Sequence, residues 1–191
     1  MSEKAPDKRS LKTRKAIRNA LAELLTQKEL HKVTVNEIAE LADINRGTFY
    51  KHYLDIYDLY DKTESEILID LGLMVLDLQN LPSDHVFKHL INYIDENRTV
   101  FTMIFSPNTT GRLREKFCSC IDGLFRQVQA EKLHADLKDV TLSYRTCYRS
   151  QGVIAIIDKW VTDGFVESKD FIVNTITELD ANTEKIITKK T

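Results

Sequence analysis

Between Val33 and Tyr53 the chain reads VTVNEIAELADINRGTFYKHY, and this stretch decides the fold. Thr34 and Glu37 stand at the spacing of a capping box ahead of an apolar run. In that arrangement the Thr hydroxyl accepts from the Glu amide while the Glu carboxylate reaches back to the Thr amide. A short helix over 35–42 follows, carrying Val35, Ile38, Ala39 and Leu41. Residues 42–44 make a turn, and Asn45 is a good N-cap for another short helix ending near His52. Two short helices joined by a tight turn describe a helix-turn-helix, in which the later helix lies in a major groove and the earlier one crosses the DNA backbone. At about 100° per residue, Phe49 and Tyr53 fall on one side, where they pack onto the preceding helices. Arg46, Thr48, Tyr50 and Lys51 project elsewhere, with Asn45 at the start. Arg pairs with guanine edges, Asn with adenine, and Thr with the thymine methyl. Tyr50, Lys51 and His52 near the helix end suit phosphate oxygens.

Working outward, residues 1–9 are polar, contain Pro6 and read as a mobile tail. From Ser10 a helical stripe runs through Ile17, Leu21, Leu24 and Leu25, with Ala16 and Ala20 beside it, and residues 29–32 break it. Across the tail and the start of this helix, Lys8, Arg9, Lys12, Arg14, Lys15 and Arg18 form a cluster with no acid among them. The chain totals 27 basic and 29 acidic side chains; residues 1–54 hold 11 and 7 of these, net +4, which leaves 55–191 at net −6. A basic end on an acidic body is the pattern expected if the first third alone meets a polyanion, although the same cluster also suits a solvated helix start.

Beyond Asp55 a fourth helix extends to about Leu78, with Tyr60, Ile67, Leu71, Met74 and Leu78 as its stripe. Leu68, Leu73, Val75 and Leu76 widen that stripe, as in a helix lying between layers. Residues 81–83 break the chain, Ser83 caps a fifth helix, and Val86, Phe87, Leu90, Ile91 and Ile94 face inward. Further helices are expected over 100–105, 111–133, 138–163 and 168–179, with Gly164 as a C-terminal stop. Phe171, Ile172, Thr175, Ile176 and Leu179 line one side of the last. No alternating strand pattern, repeat or low-complexity block is visible. The expected fold is all-α, a three-helix helix-turn-helix head at 1–54 and a larger helical body at 55–191, about nine helices together.

Composition narrows the functional class. With 6 Gly and 3 Pro in 191 residues the chain is not collagen-like or loop-dominated. An apolar run as long as any in the chain, residues 152–157, is far below the roughly 20 residues that cross a bilayer. No leader pattern is present, and three Cys argue against a disulfide framework, so a cytoplasmic setting is expected. Gly-rich phosphate loops, nucleophile elbows and HExxH sequences are absent from the sequence, so nothing points to an enzyme or to a cofactor.

The residues 33–53, and above all the Gly47-Thr48-Phe49-Tyr50-x-His52-Tyr53 run, resemble the DNA-binding segment of the TetR/AcrR family of transcriptional regulators. The resemblance covers roughly residues 12–60. The stretch 152–164, with its Gly-Val-Ile-Ala-Ile-Ile-x-x-Trp pattern, is similar to the penultimate helix of one branch of that family. The resemblance implies a homodimer whose paired heads bind a palindromic operator in double-stranded DNA and whose body takes a small-molecule effector, more often as a repressor. Carried over by position, Arg46 and Thr48 face bases, while Tyr50, Lys51, His52 and Thr34 hold phosphates with Lys12 and Arg14 nearby. Two departures stand out: Asp43 replaces the usual Gly of the turn, and Ile56 occupies the place of a phosphate-reaching Lys. Asp tolerates left-handed backbone better than most residues.

Other residues have plainer readings. His85 and His89 have metal-chelating spacing but no identifiable third ligand, so no metal site is expected. Cys118, Cys120 and Cys147 read as buried small apolar groups. Trp160, Tyr144, Tyr148, Phe117, Phe125 and Phe105 suit either a core or a pocket. On the penultimate helix, Val153, Ile156, Ile157 and Trp160 form one apolar side, and Tyr144, Cys147, Tyr148 and Ile154 lie largely on another. One side would face the body and the other a twofold mate; the mate is assigned to Val153, Ile156, Ile157 and Trp160, joined by Ile172 and Ile176 of the last helix. An alternative to the effector-released repressor is an adaptor whose body binds another protein and no small ligand.

Overall fold

The computed structural model describes residues 8–78, 83–109 and 111–188. Among them are nine α-helices and no strand. In chain order they are α1 (Lys8–Gln27), α2 (Val35–Leu41), α3 (Arg46–Tyr50), α4 (Ile56–Leu78) and α5 (Ser83–Glu96), then α6 (Arg98–Phe105), α7 (Arg112–Leu133), α8 (Val140–Thr162) and α9 (Lys169–Thr188). They fall into two compact units. One comprises the described residues of Met1–Ile67 and Thr99–Gly111, the other those of Leu68–Arg98 and Arg112–Thr191.

In the first unit α1 packs on α2 and α2 on α3. Ile17, Leu21, Leu25, Ile38, Phe49 and Leu59 are completely buried there, because the apolar positions of each short helix repeat on one side. The segment after α6 closes the C-terminal end of α1. Ser106 Oγ donates to the Leu25 carbonyl at 3.1 Å and Asn108 Nδ2 to that of Thr26 at 2.9 Å, satisfying acceptors that a helix end leaves open.

In the second unit α7 packs on α8, α8 on α9 and α5 on α9. Phe87, Ile91, Ile94, Phe117, Ile121, Val153, Ile157, Trp160 and Ile176 fill its core. The end of α8 is a Schellman motif: the Gly164 amide donates to the Val161 carbonyl at 3.0 Å and the Phe165 amide to that of Trp160 at 2.8 Å. Gly164 sits at φ 79°, where a side chain is strained, and the Phe165 and Trp160 rings meet edge-on at 4.9 Å.

Several sequence expectations change. Lys8 and Arg9, read as tail, begin α1, whereas residues 1–7 lie outside the described residues. The last helix continues past Leu179 to Thr188. On α4 Ile69 and Leu73 are more than half exposed, so the broad apolar surface is not enclosed between layers of this chain. The side chains of Met74, Val75, Leu76, Leu78 and Ser83 lie outside the described residues. Phe171 and Leu179, which share a side of the last helix with the buried Ile172 and Ile176, are exposed, as is Cys147, while Cys118 and Cys120 are half-buried.

Candidate nucleic-acid interface

The proposed reading head is assembled by local hydrogen bonds. At α2 the capping box is complete: the Glu37 amide donates to Thr34 Oγ1, and Glu37 Oε2 accepts from the Thr34 amide at 3.0 Å and from its hydroxyl at 2.8 Å. Lys28, just after α1, pairs with the same carboxylate, and these bonds hold Glu37 below the ordinary carboxylate range, Lys28 contributing most. The turn into α3 is a second Schellman motif. Asp43 takes the left-handed position at φ 51°, its amide donating to Glu40 and that of Ile44 to Ala39. A residue other than Gly is strained here, and Asp is among the few that enter the region routinely.

Asn45 then caps α3, its Oδ1 accepting from the Thr48 amide at 2.8 Å and the Thr48 hydroxyl at 3.0 Å. Adenine readout needs both ends of the Asn amide. The oxygen is engaged within the helix, so Asn45 acts here as a cap. The same bond turns the Thr48 hydroxyl inward toward Asn45. Phe49 is fully buried and Tyr53 nearly so, with ring centroids 5.7 Å apart, and this anchors α3 with its other side outward. Arg46, Tyr50 and Lys51 are exposed. Arg46 donates to the Tyr50 hydroxyl at 3.4 Å and lies 6.0 Å from the ring, an i, i+4 pair on the outward side. His52 is partly covered. Burial first, then the positive charges of Arg14 and Lys51, lower its pKa below the ordinary value of 6.5.

Lys12 is exposed on α1, but Arg14 is engaged: its Nη2 lies 2.7 Å from Glu66 of α4, and Arg18 approaches the same carboxylate at 3.5 Å. The bond to Glu66 raises the Arg14 pKa against the opposing effect of burial. Glu66 was not foreseen, because its partner is 52 residues away and no local pattern marks it. Lys62 was also missed; it sits 5.4 Å from the Tyr53 ring and donates to Asp58 at 2.8 Å. At Ile56 the departure from the family's Lys has a structural counterpart, since the side chain is buried in the head.

In the second unit, Val153, Ile157, Trp160, Ile172 and Ile176 are buried in the unit's own core, with Ile156 partly exposed. All but Ile157 line one or other of two open surface grooves on α8 and α9. Tyr144, Cys147, Tyr148 and Leu179 rim the larger, of about 800 Å³, and Val166 and Phe171 the smaller, of about 530 Å³. His85 and His89 are both exposed, and no cluster of three or more His, Cys, Asp or Glu suited to a metal occurs among the described residues. Among them, too, no helix is long and apolar enough to cross a membrane.

The family comparisons agree with this architecture. Residues 17–62 match the model of bacterial regulatory proteins of the tetR family, and residues 83–180, just over half of the chain, match that of a transcriptional regulator C-terminal region of the same family. The chain belongs to the TetR family of transcriptional regulators, whose members are DNA-binding transcription factors and not enzymes. The chain is similar to the uncharacterized HTH-type transcriptional regulator YxbF of Bacillus subtilis (strain 168), 23% identical over 171 residues. That match covers 85% of this chain but 43% of the relative, so the chain spans less than half of its length. Its fold is similar to that of the dihydroxyacetone kinase operon activator DhaS (TM-score 0.64, 22% identity, 91% of this chain and 97% of that one). It is also similar to Thermus thermophilus FadR, a repressor solved with lauroyl-CoA (TM-score 0.51, 18% identity, 88% and 93%).

Proposed function

We propose that the chain works as a homodimer that grips a palindromic operator with two copies of α3, acting in the cytoplasm as a repressor released by a small molecule. On this reading residues 1–54 form the DNA-binding head, and residues 55–191 bind the effector and the mate. The observation that carries it is α3 itself: Phe49 and Tyr53 are sunk into the head while Arg46, Tyr50 and Lys51 are presented together. Arg46 and the Thr48 methyl are assigned to bases. Tyr50, Lys51, His52 and Lys12 are assigned to phosphates, with Thr34 and Arg14 beside them. Two such helices must lie about 34–36 Å apart, one turn of DNA, or a multiple of it. Symmetric pairing through the exposed rim of α8 and α9 would set that separation. An effector that favours one body shape would change it by shifting populations.

A salt-titrated gel shift tests the reading. Lys51→Ala weakens binding to all sequences alike and lowers the salt slope by about 1 per protomer, whereas Arg46→Ala changes preference among operators. Unaltered affinity and preference in both variants would remove α3 from the interface. A second reading, the protein-docking adaptor, is favoured by the small size of the second unit's cavity lined by Phe87, Phe125 and Gln129, about 40 Å³, against the roughly 300–1,000 Å³ of usual ligand sites. Operator binding that responds to no small molecule, but to a co-purified protein, would select it.

A further inference from the structure

We propose that the cavity among α5, α7, α8 and α9 is a binding site for a small uncharged molecule that carries a hydrogen-bond acceptor. This inference rests on the effector reading above and names the chemical class. The apolar wall is Val86 and Phe87 from α5 with Leu124, Phe125 and Val128 from α7. The polar wall is Gln129, Arg149 and Asp180, which are all buried.

The hydrogen bonds along that wall leave one group open. Arg149 donates from Nε and Nη2 to the two Asp180 oxygens, each at 2.8 Å, and from Nη1 to Gln129 Oε1 at 2.5 Å. A guanidinium only donates, so the Gln129 amide is held with its oxygen toward Arg149 and its nitrogen away. Gln129 Nε2 is buried and finds no acceptor in the structure. It is therefore a preformed donor in the lining of a cavity. Both Asp180 oxygens are already matched, and Glu184 stands 3.7 Å from Arg149 Nη2. An anionic ligand would face these carboxylates with the arginine already committed, and a cationic one would face the Arg149 charge and the outward hydrogens of the Gln129 amide. A neutral carbonyl or hydroxyl oxygen fits, with its apolar remainder against Phe87 and Phe125. The volume of about 40 Å³ compares with roughly 10–15 Å³ for one water on the same measure. The occupant is thus a compact molecule of about four non-hydrogen atoms, with affinity no tighter than tens of micromolar.

The test uses the full ¹⁵N-labelled chain and compounds of matched shape. Acetone and acetamide are titrated against isobutene, which lacks the acceptor, and acetate, which adds a charge. The side-chain amide signal of Gln129, assigned by its disappearance in Gln129→Glu, should shift saturably with acetone and acetamide and stay still with the other two. Gln129→Glu keeps an oxygen for Arg149 but removes the donor, and should weaken acetone at least tenfold. Leu124→Phe, which fills the apolar side and leaves Gln129 untouched, should abolish binding with the Gln129 signal retained. Equal binding of acetone and isobutene would overturn the proposal, as would no saturable shift with acetone, leaving Gln129 to a water. A gel shift on the same samples separates the two levels. Operator binding without an acetone response removes this site alone, whereas an unmodified chain that binds no operator removes the regulator reading.

Discussion

Replacing Asp180 by Asn removes one charge of a pair whose side chains are only 4–5% exposed. Burial pulls the Arg149 pKa down, but the bonds to Asp180 and the charges of Asp180 and Glu184 outweigh it and leave it raised. A guanidinium keeps its proton in proteins, so Arg149 stays cationic when Asp180 is neutralised, and the cost is that of a buried charge without its counterion. Breaking such a pair costs about 3–5 kcal/mol. Glu184 remains at 3.7 Å and is a quarter exposed; a partner of that kind restores up to about 1 kcal/mol. The expected loss is thus about 2–5 kcal/mol, out of a total of about 5–15 kcal/mol for a folded domain. At about 2–4 °C per kcal/mol in a chain of this size, a 3 kcal/mol loss lowers Tm by roughly 6–12 °C. Calorimetry and urea melts at fixed protomer concentration measure it. The loss should hardly change with added salt, because a buried pair is little screened. The double variant Arg149→Met with Asp180→Leu should return to near the starting stability, since well-packed apolar replacements of buried pairs are often neutral or stabilising. A loss below about 1 kcal/mol in Asp180→Asn would refute the reasoning, as would a double variant as unstable as the single.

Thr34→Ala removes the side-chain half of the capping box and should cost about 1 kcal/mol, with faster amide exchange at the Glu37 N–H that donates to Thr34 Oγ1. Gly123→Ala, exposed within α7 with nothing within 4 Å of the added methyl, should stabilise by up to about 1 kcal/mol. Gly164→Ala at φ 79° should destabilise by about 1 kcal/mol, and paired melts compare the two. His52 has a folded-state pKa below 6.5, so the stability of its neutral form is present above 6.5 and lost as pH falls through the folded value. Contact with a phosphate has the opposite sign, because it favours the protonated ring. Operator affinity should then rise as pH falls below about 6.5, and His52→Gln should flatten that profile in fluorescence anisotropy.

The head was legible because its determinants are local. Thr34 with Glu37, Asn45 with Thr48 and the Asp43 turn each close within a few residues, so their residue types announce their bonds. Phe49 and Tyr53 followed from helical period alone. What the sequence could not display is how many bonds one side chain is asked to make. Asn45 suits both a cap and an adenine edge by residue type, and only coordinates show the oxygen engaged in the cap. Arg14 likewise belongs to a cluster that reads as uniformly free, until α4 brings Glu66 to 2.7 Å.

In the body the difficulty is of another kind. The helix α8 offers two apolar arcs, one with Val153, Ile157 and Trp160 and one with Tyr144, Cys147 and Tyr148. Hydropathy assigns charged and hydroxylic residues to water, which makes Arg149 and Ser150 evidence against an inward face. In the structure both are buried, because Arg149 meets Asp180 and Gln129 and Ser150 donates to Asp122 at 3.0 Å. A buried polar group must find its partners inside the fold, so this network turns one arc to the core and leaves the two tyrosines outside. The signal was present in a subtler form. Asp180 lies four residues after Ile176 on the stripe of α9, and Gln129 four after Phe125 on that of α7. Polar residues that interrupt two apolar stripes, with an arginine on a third helix, mark a buried network. Weighed together, they orient α8.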